Sequence, residues 1–408
     1  MAIEIQALSA ERSAELLLPI FTGFGMVLTP ERIERTRILP ELDVRLGAFE
    51  DGAVVGACGS FAFAMTVPGG ASVDTAGLTV VGVLPTHRRR GILRGLMRRY
   101  LDDARRRGQI LSGLFASEAG IYGRYGYGIA ALGAEVEIDR RRAHFALPAP
   151  SSSGASARLR LLDEDQAAAA FPLVWESVRP TTPGMLTRSE TWWRTRRLSD
   201  PESLRAGRGP LQRMLLELDG RPAGYALYRF TAPVVAWSSA AVIEVAEAVA
   251  DSPAATRALW RYLLDLDIVT AVRARLLPVD HPLLHLVTEP RCLDLRLGDS
   301  LWLRLVDVAA ALSRRTYGPG GALVLAVEDE FCPWNTGRYR LADGRAERTE
   351  AAPDLTLAAD TLGAAYLGAF GFSQLAGAGR VVEHRSGALR EADLLFRAER
   401  APWIPEVF

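Results

Sequence analysis

The segment Val80–Met97, VVGVLPTHRRRGILRGLM, constrains this chain more than any other. A β-branched run ends at Pro85, a short basic loop follows, and Leu93, Leu96, Met97, Tyr100 and Leu101 then recur at helical spacing. A strand turning through such a loop into a helix aims unpaired N–H groups and the positive end of the helix dipole at one place. An anionic group binds there. Gly91 permits close approach of backbone to that group, and Arg88, Arg89, Arg90 and Arg94 add charge and forked donors suited to phosphates. The alternative is a solvated basic helix start.

The surrounding pattern is α/β. Val44–Phe49, Val54–Met65 and Ala76–Val83 read as strands, with Asp51-Gly52 and Pro68-Gly69-Gly70 as turns between them. A helix is expected over 91–108 and another buried strand over 110–116. Pro148–Ala157, PAPSSSGASA, has the composition of a linker. After it the pattern partly returns: Asp51-Gly52 with Gly56 finds a counterpart 168 positions later in Asp219-Gly220 with Gly224, and Val81 and Pro85 fall on Val249 and Pro253. The same shift places Thr256 at Arg88 and Leu259 at Gly91, so a duplicated copy lacks the anion-binding residues, and Asp251 there repels phosphate. From Leu293 onward short strands at 322–327, 337–341 and 355–358 alternate with helical patches at 306–314 and 360–367, an α+β unit without a catalytic cluster. The expected units are 1–148, 149–292 and 293–408.

Composition narrows the chemistry. The chain has 408 residues, and its 48 basic and 48 acidic residues cancel, which gives nucleic-acid binding no support. Every basic residue is arginine. A catalytic lysine, a lysine Schiff base and a phosphate loop of the GKS type are therefore excluded. Cys58, Cys292 and Cys332 are odd in number and far apart, which speaks against disulfides and structural zinc. The uncharged stretches 52–73 and 361–379 are broken by Pro68-Gly69-Gly70 and by five glycines, so neither reads as a membrane span, and a cytoplasmic location is expected.

Arg88-Arg89-Arg90-Gly91-Ile92-Leu93 resembles the acetyl-CoA signature of the GNAT acetyltransferases, departing from it at Leu93, where Gly or Ala is usual. Together with ASEAGIYGRYGYG at Ala116–Gly128, it resembles the Eis (enhanced intracellular survival) family of N-acetyltransferases, in which that leucine is usual. The resemblance spans the chain. It implies an α/β and α+β architecture of two GNAT-like domains, the second degenerate, followed by a sterol-carrier-protein-like domain. It further implies acetyl-CoA as cosubstrate, with Val81, Gly82 and Val83 offering backbone groups to the pantetheine arm. Arg88, Arg89, Arg90, Gly91, Ile92, Leu93 and Arg94 would cradle the pyrophosphate, and Ser117 and Glu118 would lie beside the cofactor. Tyr122 would be the general acid for the departing thiolate; with a pKa of roughly 10 the phenol is protonated, and so available as a donor, at neutral pH. The residues alone leave Tyr125 and Tyr127 as competitors, or Tyr122 as a wedge in a glycine-rich loop.

The general base implied by the same resemblance is the carboxylate of Phe408. The tail APWIPEVF is apolar and stiffened by Pro402 and Pro405, whereas chain ends are usually polar and frayed. It is expected to dock through Trp403, Ile404, Val407 and Phe408. The implied reaction is direct attack of a neutral amine on the thioester, without a metal. Aminoglycosides are the expected acceptors, protein lysines or polyamines the alternative, and a non-catalytic ligand-binding scaffold the reading from another class. A homohexamer of two stacked trimers is implied too. Trp192-Trp193 reads as a buried helix end and His281 and His285 as structural; Glu406 is a candidate acid for the acceptor pocket.

Overall fold

The computed structural model describes residues 3–27, 29–30, 41–146, 157–231 and 241–408. Of the expected linker only Ala157 lies within the described residues, where it opens a strand. In the first sheet β1 (Glu4–Ala7), β2 (Leu42–Glu50), β3 (Ala53–Thr66) and β4 (Ser72–Val83) are antiparallel neighbours, and β4 pairs in parallel with β5 (Leu111–Leu114). β6 (Gly128–Ile129) lies at its edge. β7 (Leu132–Asp139) belongs to the second sheet, where β8 (Ala157–Leu161), β9 (Gln212–Leu218), β10 (Arg221–Phe230) and β11 (Ala241–Ala250) are antiparallel and β11 pairs in parallel with β12 (Val269–Leu277). β13 (Arg296–Asp299) is the edge of that sheet, while β14 (Trp302–Leu305) returns to the first.

The two sheets have one topology. The first runs β1-β2-β3-β4-β5-β14-β6 and the second β8-β9-β10-β11-β12-β7-β13. In each, the place beside the edge is filled by a strand from the other stretch of chain. β14 pairs with β5 and β6, and β7 pairs with β12 and β13. The hairpin turns match as well: Asp51 and Gly52 have φ of 51° and 79°, Asp219 and Gly220 of 52° and 76°. Positive φ at both central residues is what a two-residue hairpin needs to follow the strand twist.

Helix Ile92–Arg106 buries Ile92, Leu96, Met97, Tyr100, Leu101 and Ala104 against the first sheet, and helix Pro253–Leu264 buries Leu259, Trp260, Leu263 and Leu264 against the second. The third sheet joins β15 (Leu323–Glu328), β16 (Gly337–Ala342), β17 (Arg345–Arg348), β18 (Leu355–Ala358) and β19 (Val381–Glu383) in the order β17-β16-β15-β18-β19. Its helix Ala359–Tyr366 packs on the glycine-rich turn of the first unit: a Cβ on Gly128 would lie 1.8 Å from the Asp360 carbonyl oxygen. Arg304 of β14 is fully buried there, bonded to Asp329 and to the Tyr125 carbonyl.

Trp192 and Trp193 are buried, as expected of a helix end. His281 accepts from the Trp260 indole at 3.0 Å, and burial pushes its imidazole down to about 4; His285 is exposed. Cys58, Cys292 and Cys332 are free and buried.

Candidate active site

β4 and β5 stay paired for three positions, Thr75 to Leu111, Ala76 to Ser112 and Gly77 to Gly113. Beyond Gly77, β4 continues to Val83 without β5, so the sheet opens. Opposite Cys58 the ladder with β3 shifts register, and Val80 there has φ of 47°. A β-branched residue in that region is strained, by about 1–3 kcal/mol. This bulge turns the backbone of Val81, Gly82 and Val83 where the strands part. Gly82 also lets helix Leu17–Gly23 pass close, since a Cβ there would sit 2.8 Å from Ile20 Cγ1.

At the end of β4 the loop reaches the helix through Arg89 (φ 63°) and Gly91 (φ 78°). No side chain caps the helix, and its first bond runs from the Gly95 N–H to the Gly91 carbonyl at 3.0 Å. The N–H groups of Ile92, Leu93 and Arg94 therefore lack helical partners. A Cβ on Gly91 would meet nothing within 4 Å, so the backbone is open to approach. The counterpart helix in the second unit differs: Pro253 removes one donor, and Ser252 Oγ accepts from the Ala255 N–H at 3.2 Å. Its amide end is already partly satisfied.

The arginines divide. Arg90 and His87 bind Glu50, whose carboxyl is held down at about 2, chiefly by Arg90 and then by His87. Arg94 lies over the Phe331 ring of the third unit, 5.4 Å from its centroid. Arg88 and Arg89 are exposed and make no ion pair among the described residues. Ser117 and Glu118 are exposed just after β5, Glu118 preceding the turn Ala119–Tyr122.

The three tyrosines are separated by their surroundings. Tyr127 shares Ser112 Oγ with Tyr100, both at 2.7 Å, in a buried network. Tyr125 packs edge-on against Phe331, with ring centroids 4.9 Å apart. The Tyr122 hydroxyl has no hydrogen-bond partner among the described residues, and burial pushes its phenol up to about 12.

Tyr122 packs in the core with Ala76 and Leu78, whereas Gly77, the residue between them, points to the other face. There the Phe408 ring sits 5.1 Å from Phe63 and 5.9 Å from Phe115, and a Cβ on Gly77 would lie 3.2 Å from Phe408 Cε2. The sheet opening thus has Tyr122 toward one face and the chain end toward the other. Beside Phe63 is a cavity of about 350 Å³ lined by Glu41, Asp43, Phe61, Phe63, Ser189 and Trp192. Asp43 lies 3.7 Å from Arg107, and Ser189 donates to Glu41.

Tail residues depart from expectation in two places. Val407 is 59% exposed and a weak anchor at most, because an extended chain alternates and its neighbours point inward. Glu406 does not line the cavity. It is buried and bonded to Arg188 and to Trp192, the latter at 3.0 Å. Sequence reading missed Arg188 altogether, since an arginine in a polar stretch, Thr187-Arg188-Ser189, looks like solvated surface.

A tandem of two alike sheets, one with an uncapped helix end and one with a partly capped one, followed by a third α+β unit, fits a two-copy acyltransferase with an appended domain. Acetyltransferase (GNAT) domain models match residues 5–130 and 184–305, and a sterol carrier protein domain model matches 308–405. The chain is 35% identical to N-acetyltransferase Eis of Mycobacterium tuberculosis over 93% of its own length and 92% of that protein's. It is 42% identical to an uncharacterized N-acetyltransferase of Streptomyces avermitilis, covering 94% of each chain. The crystal structure of Eis1 from Mycobacterium abscessus superposes with a TM-score of 0.86 at 36% identity, covering 99% of this chain and all of that one. The chain belongs to the Eis family of GNAT N-acetyltransferases. It is an acetyl-transferring enzyme, and its fold implies acetyl-CoA as cosubstrate. Among the described residues no helix is long and apolar enough to cross a membrane.

Proposed function

We propose that the enzyme acetylates primary amines of polycationic small molecules of the aminoglycoside type, with the carboxylate of Phe408 as base and Tyr122 as acid. The observation that carries this reading is the seat of Phe408 against Phe63, Phe115 and Gly77, at the sheet opening and next to an acid-lined aromatic cavity. Acetyl-CoA lies in the opening from the helix side. The uncapped N–H groups of the Arg88–Arg94 loop take the pyrophosphate, Val81–Val83 take the pantetheine arm, and Ser117 and Glu118 flank it. The working assembly is a homohexamer.

The acceptor enters from the Phe408 side as an ammonium. A terminal carboxylate, with a pKa of about 3.5, is a weak base for an ammonium in water. Glu41 and Asp43 hold the acceptor's other ammonium groups, while desolvation of the amine that reaches Phe408 favours its neutral form. Phe408 takes the proton, directly or through a water, and the neutral nitrogen attacks the thioester carbonyl. A C–N bond forms and the C–S bond breaks; the attacking nitrogen gives up its second proton, which restores Tyr122 after that residue has protonated the sulfur, and Phe408 releases the first proton to solvent. The leaving sulfur takes a hydrogen bond and then the proton of Tyr122. With its phenol near 12, Tyr122 stays protonated through the working range and, as a weaker acid than a thiol, serves the leaving sulfur by a hydrogen bond, its own proton moving only as the attacking nitrogen's proton replaces it.

Thiol release from acetyl-CoA, measured with aminoglycosides, polyamines and lysine peptides, tests the reading. Release is expected with the multi-amine antibiotics; release with no amine would leave only a binding scaffold. Tyr122→Phe is expected to lower kcat by about 10²-fold with the KM for acetyl-CoA unchanged; an unaltered kcat removes Tyr122 as acid. Glu41→Gln should raise the KM for a polycationic amine about fivefold, one partly exposed charge contributing roughly 1 kcal/mol. The effect should shrink in high salt. An unchanged KM at low salt would place the acceptor elsewhere.

A further inference from the structure

The tail is held at more points than its terminal ring. The Trp403 N–H donates to the Pro183 carbonyl at 2.8 Å and the Ala401 N–H to Asp280 at 2.9 Å. Gly184, at φ 91°, leaves room for the Trp403 backbone, 2.9 Å from where a Cβ would stand. Two residues before the chain end, Glu406 turns inward to 1% exposure and meets Arg188, whose side chain is wholly buried. The Arg188 guanidinium lies over Trp175 at 3.4 Å and over Trp193 at 4.5 Å. Its Nη atoms hold Glu247 of β11 at 3.0 and 2.5 Å, and Glu247 also accepts from Arg197 at 2.6 Å and from the Tyr225 hydroxyl at 2.6 Å. Burial alone would raise the Glu247 carboxyl, yet Arg188 and Arg197 keep it at about 2. Two guanidiniums and two carboxylates therefore balance, and every link is hydrogen-bonded.

A buried ion pair is weak evidence for stability, because desolvation offsets most of the attraction. It does fix direction, since a forked guanidinium accepts a carboxylate in few orientations. From Glu406 to Phe408 the extended chain covers only about 7 Å. Whatever holds Glu406 therefore decides where the terminal carboxylate falls. Val407 is exposed between two inward-pointing neighbours, so a shift of one residue would turn Glu406 away from Arg188.

We propose that Arg188 and Glu406 are positioning residues for acetyl transfer: their bridge ties the tail to β11 of the second unit and sets the Phe408 carboxylate at the opening between β4 and β5. The copy whose own helix end is capped thus serves the reaction by holding the base for the other copy. This rests on the reading of Phe408 as that base.

The test uses the full-length enzyme, with steady-state kinetics and thermal melting on each variant. Glu406→Ala is expected to lower kcat at least about 30-fold, in line with the cost of misplacing a reacting group by an ångström. The KM for acetyl-CoA should stay within twofold, while the melting temperature falls because a wholly buried guanidinium loses one of its two carboxylates. Glu406→Gln, which still accepts from Arg188, is expected to recover about tenfold of that loss. A Glu406→Ala enzyme within threefold of the parent kcat overturns the proposal, as does equal loss in kcat and stability without recovery by glutamine. If Glu406→Ala does not fold, the paired change Arg188→Met with Glu406→Met, which leaves Glu247 its Arg197 partner, is measured instead, with the same expected loss of kcat and the same overturning result. Extension of the chain beyond Phe408 separates the two readings. An active extended enzyme removes Phe408 as base and this proposal with it; an inactive extended enzyme beside a fully active Glu406→Ala removes this proposal alone.

Discussion

An enzyme carrying three residues after Phe408 is expected to lose turnover by about 10²- to 10⁴-fold, the contribution of a positioned proton acceptor, while binding acetyl-CoA as before. The extension replaces the carboxylate at Phe408 with a neutral amide and moves the free charge about 10 Å along an extended chain. The ring of Phe408 keeps its contacts with Phe63 and Phe115, and Glu406 keeps Arg188, so the tail remains seated. Loss of the base is then separable from loss of docking. Measuring thiol release before and after proteolytic removal of a cleavable extension makes each molecule its own control. Turnover within threefold of the parent would dissociate the chain end from the chemistry.

Gly128→Ala is expected to have the largest effect on stability. Its Cβ would lie 1.8 Å from the Asp360 carbonyl oxygen and 2.8 Å from the Ala364 nitrogen, both backbone atoms of helix Ala359–Tyr366 or its first turn. Backbone inside a helix cannot rotate away as a side chain does. Overpacking of this kind costs about 1–3 kcal/mol, and relief requires the third unit to back off the first. Because the tail leaves from that unit, turnover should fall further than the loss of folded protein explains. Chemical denaturation read alongside kcat measures both. An unchanged midpoint with normal activity would mean that the two units do not meet through this turn.

Some of this was legible in the residues and some was not. The strand-loop-helix at Val80–Met97 could be read because its signals are local: Pro85 ends a strand, Gly91 takes a positive φ, and apolar residues recur at helical spacing. Asp51-Gly52 and Asp219-Gly220 were equally plain, as turn residues whose conformation depends on few neighbours. The exchange of β7 and β14 was hidden. Both segments look like strands, and alternation says which face is buried without saying which sheet receives it. Gly128 read as a loop glycine, although its reason lies in a helix more than two hundred residues on. The Arg188–Glu406 bridge spans 218 positions and leaves no periodic trace. The residues alone left the tyrosines at 122, 125 and 127 unranked and the family resemblance pointed to Tyr122; what surrounds each hydroxyl is not contained in a string of residues.

The crossed strands also make the second copy structurally indispensable to the first. Without Trp302–Leu305, the first sheet would lose the bridge between β5 and β6; without Leu132–Asp139, the second would lose its link from β12 to β13. Each sheet therefore needs the other stretch of chain to be complete, and neither can be removed without opening the one that remains.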